Sequence, residues 1–259
     1  MSTATRPQAP TPHEDVIPPL RHGDRLTAAE FERRYDAMPH LKKAELIDGI
    51  VYLPSPDFPL TSDGDDSMGS PVSFRHHSAP HFDLIGWLAQ YRAATPGVRG
   101  GDNGTIRLDL ASMPQPDAFL IILPTHGGRV RIDANDYVQG APELVAEVAF
   151  RSASFDLHAK FDAYRRNGAS EYLVWRVEEG IIDWHILREG RYDPIRLSAE
   201  GLLRSEAFPG LWLDATALIR GELSAVFEAA RRGLASPEHA AFVARLREAA
   251  APEAPARPA

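Results

Sequence analysis

Two carboxylates and one lysine stand out because each lies within or beside an otherwise regular stretch of the sequence. Asp117 leads into one short apolar run, and Glu147 lies alone inside the next. Lys160 follows in a segment with helical spacing, and Glu45 precedes a turn nearer the N-terminus. Burying an unpaired carboxylate is costly, so each acid requires a neighbouring cation or access to water.

Two acids and one base on neighbouring elements suit metal-assisted hydrolysis of a phosphodiester. A hard cation such as Mg²⁺ takes one or two carboxylates and completes its shell with water and phosphate oxygens. The bound cation stabilises charge on the phosphate and lowers the pKa of its water. A lysine can orient that water or neutralise the developing charge. The residue types therefore predict a site of this class.

Simpler explanations compete with this interpretation. An arginine salt bridge would account for either acid, and Lys160, four residues after Asp156, would form a solvated ion pair on a helix. His77 and His81, four residues apart, raise the alternative of a zinc site, but Pro80 between them places His77 outside the helix.

The amino-acid composition limits which kinds of protein this chain can be. The chain has 259 residues, of which 44% are hydrophobic, enough for one domain with a full core. Its 28 basic and 36 acidic residues give a net charge of -8, the wrong sign for binding duplex DNA through a global field. A local basic groove remains compatible with that charge. The absence of cysteine excludes disulfides, thiolate zinc sites and cysteine nucleophiles.

The sequence predicts one domain with irregular ends. We expect a disordered, proline-rich leader over 1–22, a domain over 23–213, a helical extension over 214–249 and a disordered tail over 250–259. The first residues lack the apolar region of a signal peptide, and no run approaches the roughly 18–20 apolar residues of a membrane span. A cytoplasmic protein without a membrane segment is therefore expected.

Local signals predict the elements that position these residues. Thr27 and Glu30 form a candidate capping box at the start of a helix. The turn Asp48-Gly49 indicates either a hairpin or a strand with a glycine bulge. The apolar run 144–150 is typical of a central strand covered on both faces. Further expected elements are a helix after Ser78, strands over 97–123, a helix from Ser152 or Ser154 to Arg166, strands over 171–177, 181–187 and 192–197, and one or two helices over 222–249.

Taken in order, several stretches resemble the Uma-two family of endonucleases over about 25 to 213. The resemblance implies an α/β fold of the restriction-endonuclease-like PD-(D/E)XK type, with a mixed central β-sheet flanked by helices. The stretches that carry it are Glu45-Leu-Ile-Asp-Gly49, Leu53-Pro-Ser-Pro56, His81, Pro116-Asp117, Gly140-Ala-Pro-Glu-Leu-Val-Ala-Glu147-Val, Asp156 with Lys160 and Tyr164, and Glu171-Tyr172.

The resemblance also implies roles for particular residues. Asp117 and Glu147 would bind Mg²⁺ or Mn²⁺, Glu45 would be an accessory acid, and Lys160 would be the catalytic lysine. DNA would be the substrate, and a homodimer is implied because many nucleases of this superfamily are symmetric dimers. The residues expected to line the site are His81 and Tyr164.

This sequence departs from the superfamily pattern at two places. The usual lysine lies two residues after the glutamate, where this chain has Ala149. Strand periodicity would put residue 149 on the same face as Glu147, so the charge must come from elsewhere, and Lys160 matches the helix lysine of the family. The second departure is Phe150-Arg151, which replaces a Ser-Pro-Ser-like stretch and changes the edge of the predicted site.

The leading functional hypothesis is a magnesium- or manganese-dependent endonuclease that hydrolyses DNA. The acidic net charge and the altered stretch at 150–151 motivate an alternative, a catalytically inactive binding module with the same fold. A third hypothesis is hydrolysis of a phosphoester that is not a nucleic acid.

Overall fold

The computed structural model describes residues 17–53, 73–150 and 156–250. The α-helices are α1 (Ala28–Asp36), α2 (Ala79–Ala94), α3 (Phe161–Asn167), α4 (Ala215–Ile219), α5 (Leu223–Leu234) and α6 (Pro237–Ala249). Two π-helical segments, Phe74–Ser78 and Asp156–Lys160, lead directly into α2 and α3, and a 3₁₀ turn covers Pro124–His126. The strands are β1 (Glu45–Ile47), β2 (Ile50–Tyr52), β3 (Val98–Asp102), β4 (Ile106–Arg107), β5 (Ala118–Ile122), β6 (Arg131–Ile132), β7 (Val138–Gln139), β8 (Leu144–Ala149), β9 (Glu171–Arg176), β10 (Ile181–Arg188), β11 (Arg191–Pro194), β12 (Leu203–Arg204) and β13 (Trp212–Leu213).

A six-stranded mixed sheet forms the centre, in the order β11-β10-β9-β8-β5-β3. The neighbours β8 and β9 run parallel, whereas the other adjacent pairs are antiparallel. A parallel pair requires a crossover connection, and this one contains the π-helical segment Asp156–Lys160 and α3. The predicted fold class, a mixed sheet flanked by helices, is confirmed.

Strand β8 is buried along its whole length, as its apolar run predicted. Alternate residues point to opposite faces of the sheet. Val148 faces the cluster built on α2 and the C-terminal helices, and Val145 and Ala149 face the cluster that includes Tyr164 of α3. Glu147 therefore lies on the α3 face, the side from which Lys160 arrives.

The N-terminal elements form a smaller unit beside the sheet. Thr27 caps α1 by accepting a hydrogen bond from the Glu30 N–H at 3.3 Å. Asp48 and Gly49 have φ values of 52° and 75°, which settles the turn as a hairpin between β1 and β2. A bridge between Leu46 and Met113 joins this hairpin to the segment that leads to Asp117.

Residues near both ends of the described chain pack against the rest of the protein. Of the predicted leader, residues 1–16 lie outside the described ranges, but Leu20 is buried against the N-terminal unit. The helices α4 to α6 belong to the main core, to which they contribute Leu218, Val226 and Phe242. The predicted tail at 251–259 also lies outside the described ranges.

Two helix predictions change in detail. Ser78 makes no side-chain cap because the chain is already π-helical from Phe74. Ser152 and Ser154, the other candidate caps, lie outside the described ranges, and the observed helix ends as expected with Gly168 at φ 84°. No helix in the described part of the chain is both long and apolar enough to span a bilayer.

Candidate active site

The site begins where β5 and β8 separate. Their ladder ends at the pair Ala118 and Ala146, so the next opposed residues are Asp117 and Glu147. The Val148 N–H donates to Asp117 Oδ2 at 2.8 Å, and the Asp117 N–H lies 3.4 Å from Glu147 Oε2. Where the sheet opens, the two carboxylates therefore accept hydrogen bonds from backbone N–H groups that would otherwise pair between strands. These hydrogen bonds hold the carboxylates side by side.

Lys160 reaches this opening from the crossover connection. Its Nζ lies 3.0 Å from Glu147 Oε1 and 3.0 Å from Glu45 Oε1. Its side chain is only 3% exposed, so it is part of a buried ion cluster and is not solvated. An ammonium between two carboxylates is held firmly because each interaction compensates for the desolvation of the other.

Glu45 is held in place from the N-terminal unit. Its Oε1 accepts a hydrogen bond from the Gln115 N–H at 2.7 Å. The Gln115 side chain donates in turn to the Thr105 hydroxyl at 2.7 Å and lies 3.3 Å from the Tyr35 hydroxyl. The hairpin that carries Glu45 is therefore fixed to the segment that carries Asp117.

Two further basic side chains face Asp117. Lys43 Nζ lies 3.6 Å and His77 Nε2 lies 3.8 Å from Asp117 Oδ1. Neither distance is a hydrogen bond, and within the described residues this buried oxygen has no hydrogen-bond partner. A buried acceptor without a donor typically lowers the stability of a protein by about 1–3 kcal/mol. Because no described residue donates to it, Oδ1 is the carboxylate oxygen of Asp117 that is available to a ligand.

The pKa values of these groups favour the charged forms. Burial raises the pKa of Asp117, but Lys43, His77, Lys160 and the Val148 N–H outweigh it and hold the pKa below its ordinary value. Burial lowers the pKa of Lys43, but Asp117 and Glu45 outweigh it and hold that pKa above its ordinary value. Asp117 is therefore an anion and Lys43 a cation at neutral pH.

His81 and Tyr164, the residues expected to line the site, both lie next to these acids. His81 Nε2 is 2.9 Å from the Asp117 carbonyl oxygen and 3.3 Å from Asp102 Oδ1. The Tyr164 hydroxyl lies 3.5 Å from Glu147 Oε1. His81 therefore contacts the backbone of Asp117, and Tyr164 is at the outer limit of a hydrogen bond.

The structure brings Glu45, Asp117, Glu147 and Lys160 together in one place. The zinc alternative is not supported. The rings of His77 and His81 stack 5.6 Å apart, and His77 Nδ1 is directed at a backbone carbonyl oxygen, 3.2 Å away. The described ranges hold no group of three or more His, Asp or Glu residues that could bind a metal by themselves.

Sequence reasoning missed Lys43 and the anchoring role of Gln115. A signal for Lys43 was present, because it lies two residues before Glu45 and an extended chain puts such residues on the same side. No signal pointed to Gln115, since its contribution to Glu45 comes from the backbone.

A divalent cation fits the donor set if solvent or substrate supplies most of its ligands. Mg²⁺ and Mn²⁺ accept one or two protein carboxylates together with water and phosphate oxygens. The unpartnered Oδ1 of Asp117 beside the Glu147 carboxylate provides such a pair. Asp117 and Glu147 are thus the residues that would hold the ion.

Comparison with known proteins places the chain in a family. A solved structure of "a putative nuclease belonging to DUF820" from Anabaena variabilis aligns with a TM-score of 0.48 and 12% sequence identity, covering 72% of this chain and 97% of that one. None of the curated proteins compared with the chain matches it. The family model Uma2, described as "Putative restriction endonuclease", matches residues 28–216. By this match over most of its length, and as its own residues indicated, the chain belongs to the Uma2 family.

Proposed function

We propose that the protein is a metal-dependent endonuclease that hydrolyses phosphodiester bonds in DNA. The observation that carries the proposal is the buried Oδ1 of Asp117, which has no hydrogen-bond donor among the described residues and lies beside Glu147 and two lysines. Family membership supports the nuclease class. A carboxylate pair that only stabilised the fold would be expected to have all its buried oxygens satisfied.

In this proposal Asp117 and Glu147 would hold Mg²⁺ or Mn²⁺. When bound, the cation would supply positive charge to the phosphate and a more acidic water. Lys160 fixes the orientation of Glu147 through its 3.0 Å contact and adds a cation at the same place. Glu45 keeps Lys160 in position from the opposite side.

The reaction would be a displacement at phosphorus. A water oxygen would form a bond to phosphorus and release one proton to solvent, the bond from phosphorus to the leaving sugar oxygen would break, and that oxygen would gain a proton from solvent. Lys160 would orient the water or stabilise the negative oxygens, and Lys43, with its side chain 39% exposed, would contact the phosphate from the solvent side. His81 would keep the backbone of Asp117 in place through its 2.9 Å contact.

A plasmid-nicking assay with Mg²⁺ tests the proposal. Wild type is expected to convert supercoiled DNA to the nicked form, and Asp117→Asn and Glu147→Gln to lose at least about 100-fold of that activity, as expected when a preorganised charge is removed. Asp193→Asn, an exposed position on β11, is the matched control and should be as active as wild type. Equal nicking by wild type and Asp117→Asn would remove the proposed role of the site.

The second candidate function is a binding module without catalysis. The net charge of -8 and the absence of a three-ligand metal group among the described residues favour it. It predicts no Mg²⁺ or Mn²⁺ binding by titration calorimetry. A site of millimolar or tighter affinity that is lost in Glu147→Gln would contradict it.

Substrate and assembly remain parts of the proposal that need separate tests. If the substrate were a small phosphoester, a panel of such esters would be cleaved while DNA was not, and binding would lack the steep salt dependence of polyanion contacts. The proposed homodimer is checked by sedimentation velocity, in which a monomer at all concentrations would contradict it.

A further inference from the structure

Two exposed aromatic rings flank the histidine-rich segment that begins α2. Phe74 and Phe82 are each 73% exposed. Single exposed apolar side chains are common on protein surfaces. Two largely exposed rings on one short segment are harder to explain. Because most of each ring is in solvent, a polar residue in its place would lose little packing.

This segment is fastened to the proposed active site. His77, three residues after Phe74, directs Nδ1 at the Val148 carbonyl oxygen, 3.2 Å away, and Nε2 at Asp117. His81, one residue before Phe82, contacts the Asp117 backbone at 2.9 Å. The two rings are therefore carried by the same segment that touches the proposed metal-binding acid.

A stacked pair of rings already exists on this segment. The His76 ring lies parallel to the Phe150 ring, with 4.2 Å between centroids and 3° between planes. Phe150 follows β8 directly and is three residues from Glu147. The departure from the family pattern at position 150 thus places an aromatic face at the edge of the site.

Cationic side chains are present on and near this segment although the chain as a whole is acidic. Arg75 and His76 are exposed beside Phe74, and Lys43 carries its charge next to Asp117. The neighbouring acids are Asp102, which lies 3.3 Å from His81, and Asp83, whose burial raises its pKa. The segment therefore combines exposed π faces with positive charge, the two features of surfaces that bind single-stranded nucleic acids.

We infer that the segment from Phe74 to Phe82 is a stacking platform for unpaired bases, so that the preferred substrate is single-stranded DNA or DNA with an unpaired stretch. This inference rests on the proposed nuclease function. In a duplex the base faces are covered by their neighbours, whereas an unpaired base can stack on a phenylalanine ring while Arg75 and Lys43 meet its phosphates. The cleaved strand would then lie with its backbone over Asp117 and Glu147.

Binding without cleavage tests the platform. Fluorescence anisotropy is measured in EDTA with labelled oligo-dT of about 20 nucleotides and with a duplex of the same length. Wild type should bind oligo-dT more tightly, and Phe74→Ala and Phe82→Ala should each weaken that binding by about fivefold or more, the lower limit for one lost stacking contact. Leu197→Ala, an equally apolar exposed position that is 62% exposed, is the matched control and should bind as wild type does.

The outcomes are separable from those of the nicking assay. Equal affinity for duplex and oligo-dT, or unchanged oligo-dT binding in the double variant Phe74→Ala/Phe82→Ala, overturns the platform even if plasmid is nicked. Tight oligo-dT binding that depends on both rings, without any cleavage, supports the platform and contradicts the nuclease proposal. A wild-type dimer that becomes monomeric in the double variant by sedimentation velocity would show that the rings face a second copy of the chain, which also overturns the inference.

Discussion

Lys160 has an unusual position for a charged side chain, because it is almost completely buried and lies 3.0 Å from each of two carboxylates. Removing one member of a buried ion cluster leaves the others without compensation for their lost hydration. The residue therefore matters for stability as well as for the proposed chemistry.

Replacement of Lys160 by methionine should lower the free energy of unfolding by about 3–5 kcal/mol, because Glu45 and Glu147 would lose their shared cation. Urea denaturation at pH 7 measures this change. Lys42→Met, at an exposed position, is the matched control and should change stability by less than about 0.5 kcal/mol. A Lys160→Met variant as stable as wild type would contradict the buried cluster.

Glu171 is a buried acid outside the candidate site. It is fully buried at the start of β9 and accepts hydrogen bonds from the Ser205 hydroxyl at 2.8 Å and from the N–H groups of Glu206 and Ala207 at 2.7 Å and 2.9 Å. Burial raises its pKa to about 7 although these donors, with the Trp184 indole N–H, oppose the shift. It ties the loop after β12 to the sheet.

The raised pKa of Glu171 predicts a loss of stability with rising pH. Between its ordinary pKa of 4.5 and about 7, the unfolded chain has released this proton and the folded chain has kept it. Stability falls with pH where the unfolded state binds fewer protons, here by about 3 kcal/mol in total. The difference in unfolding free energy between wild type and Glu171→Gln should therefore shrink by about that amount from pH 5 to pH 8. A difference that grows with pH would show that the four donors outweigh burial.

At the scale of elements, α2 connects the proposed site to the main core. Its first turn carries His81, and Trp87 further along donates its indole N–H to the Trp212 carbonyl oxygen at 2.9 Å. Gly86 lies in the middle of this helix, where glycine is a poor helix former. A Cβ at that position would meet Phe227 at 3.6 Å, an ordinary contact.

Gly86→Ala should therefore stabilise the protein by about 0.5–1 kcal/mol, seen as a higher midpoint in thermal or urea unfolding. Gly168→Ala is the contrasting variant. Gly168 also has free space around it, but its φ of 84° is unfavourable for alanine, so that variant should lose about 1 kcal/mol. Equal effects of the two substitutions would contradict this account.

Particular elements show what the sequence could and could not predict. A lone acid in an apolar run identified β8 with Glu147, and the Pro-Asp pair identified the start of β5, because buried strands have a clear signature. The π-helical segments Phe74–Ser78 and Asp156–Lys160 were not predicted, since apolar spacing does not separate a π turn from an α turn. Nor were the two-residue strands β6 and β7, which are too short to show a period.

At the scale of the molecule, the C-terminal helices pack into the main core. Phe242 of α6 packs edge-on against Phe208, with ring centroids 6.3 Å apart, and α5 contributes Val226 to the same core. Amphipathic spacing over 222–249 predicted helices but could not show which surface they cover. That depends on contacts between residues far apart in the chain.

Phe242→Ala should consequently lower the free energy of unfolding by about 3–5 kcal/mol, the usual cost of emptying a core site of this size. Leu110→Ala, at a position that is 87% exposed, is its control and should be nearly neutral. Urea denaturation compares the two. A Phe242→Ala variant that keeps wild-type stability would mean that the C-terminal helices form an independent layer.

The arrival of Lys160 on the crossover connection has a consequence for finding similar proteins. A pattern search that demands a lysine two residues after the glutamate would discard this chain at Ala149, although an ammonium stands 3.0 Å from that glutamate. Screening coordinates for an amine within reach of two buried acids, whatever its place in the chain, would retrieve it. Proteins whose lysine lies elsewhere in the sequence are thus best found by comparing the positions of charged groups in structures, and not by matching a sequence motif.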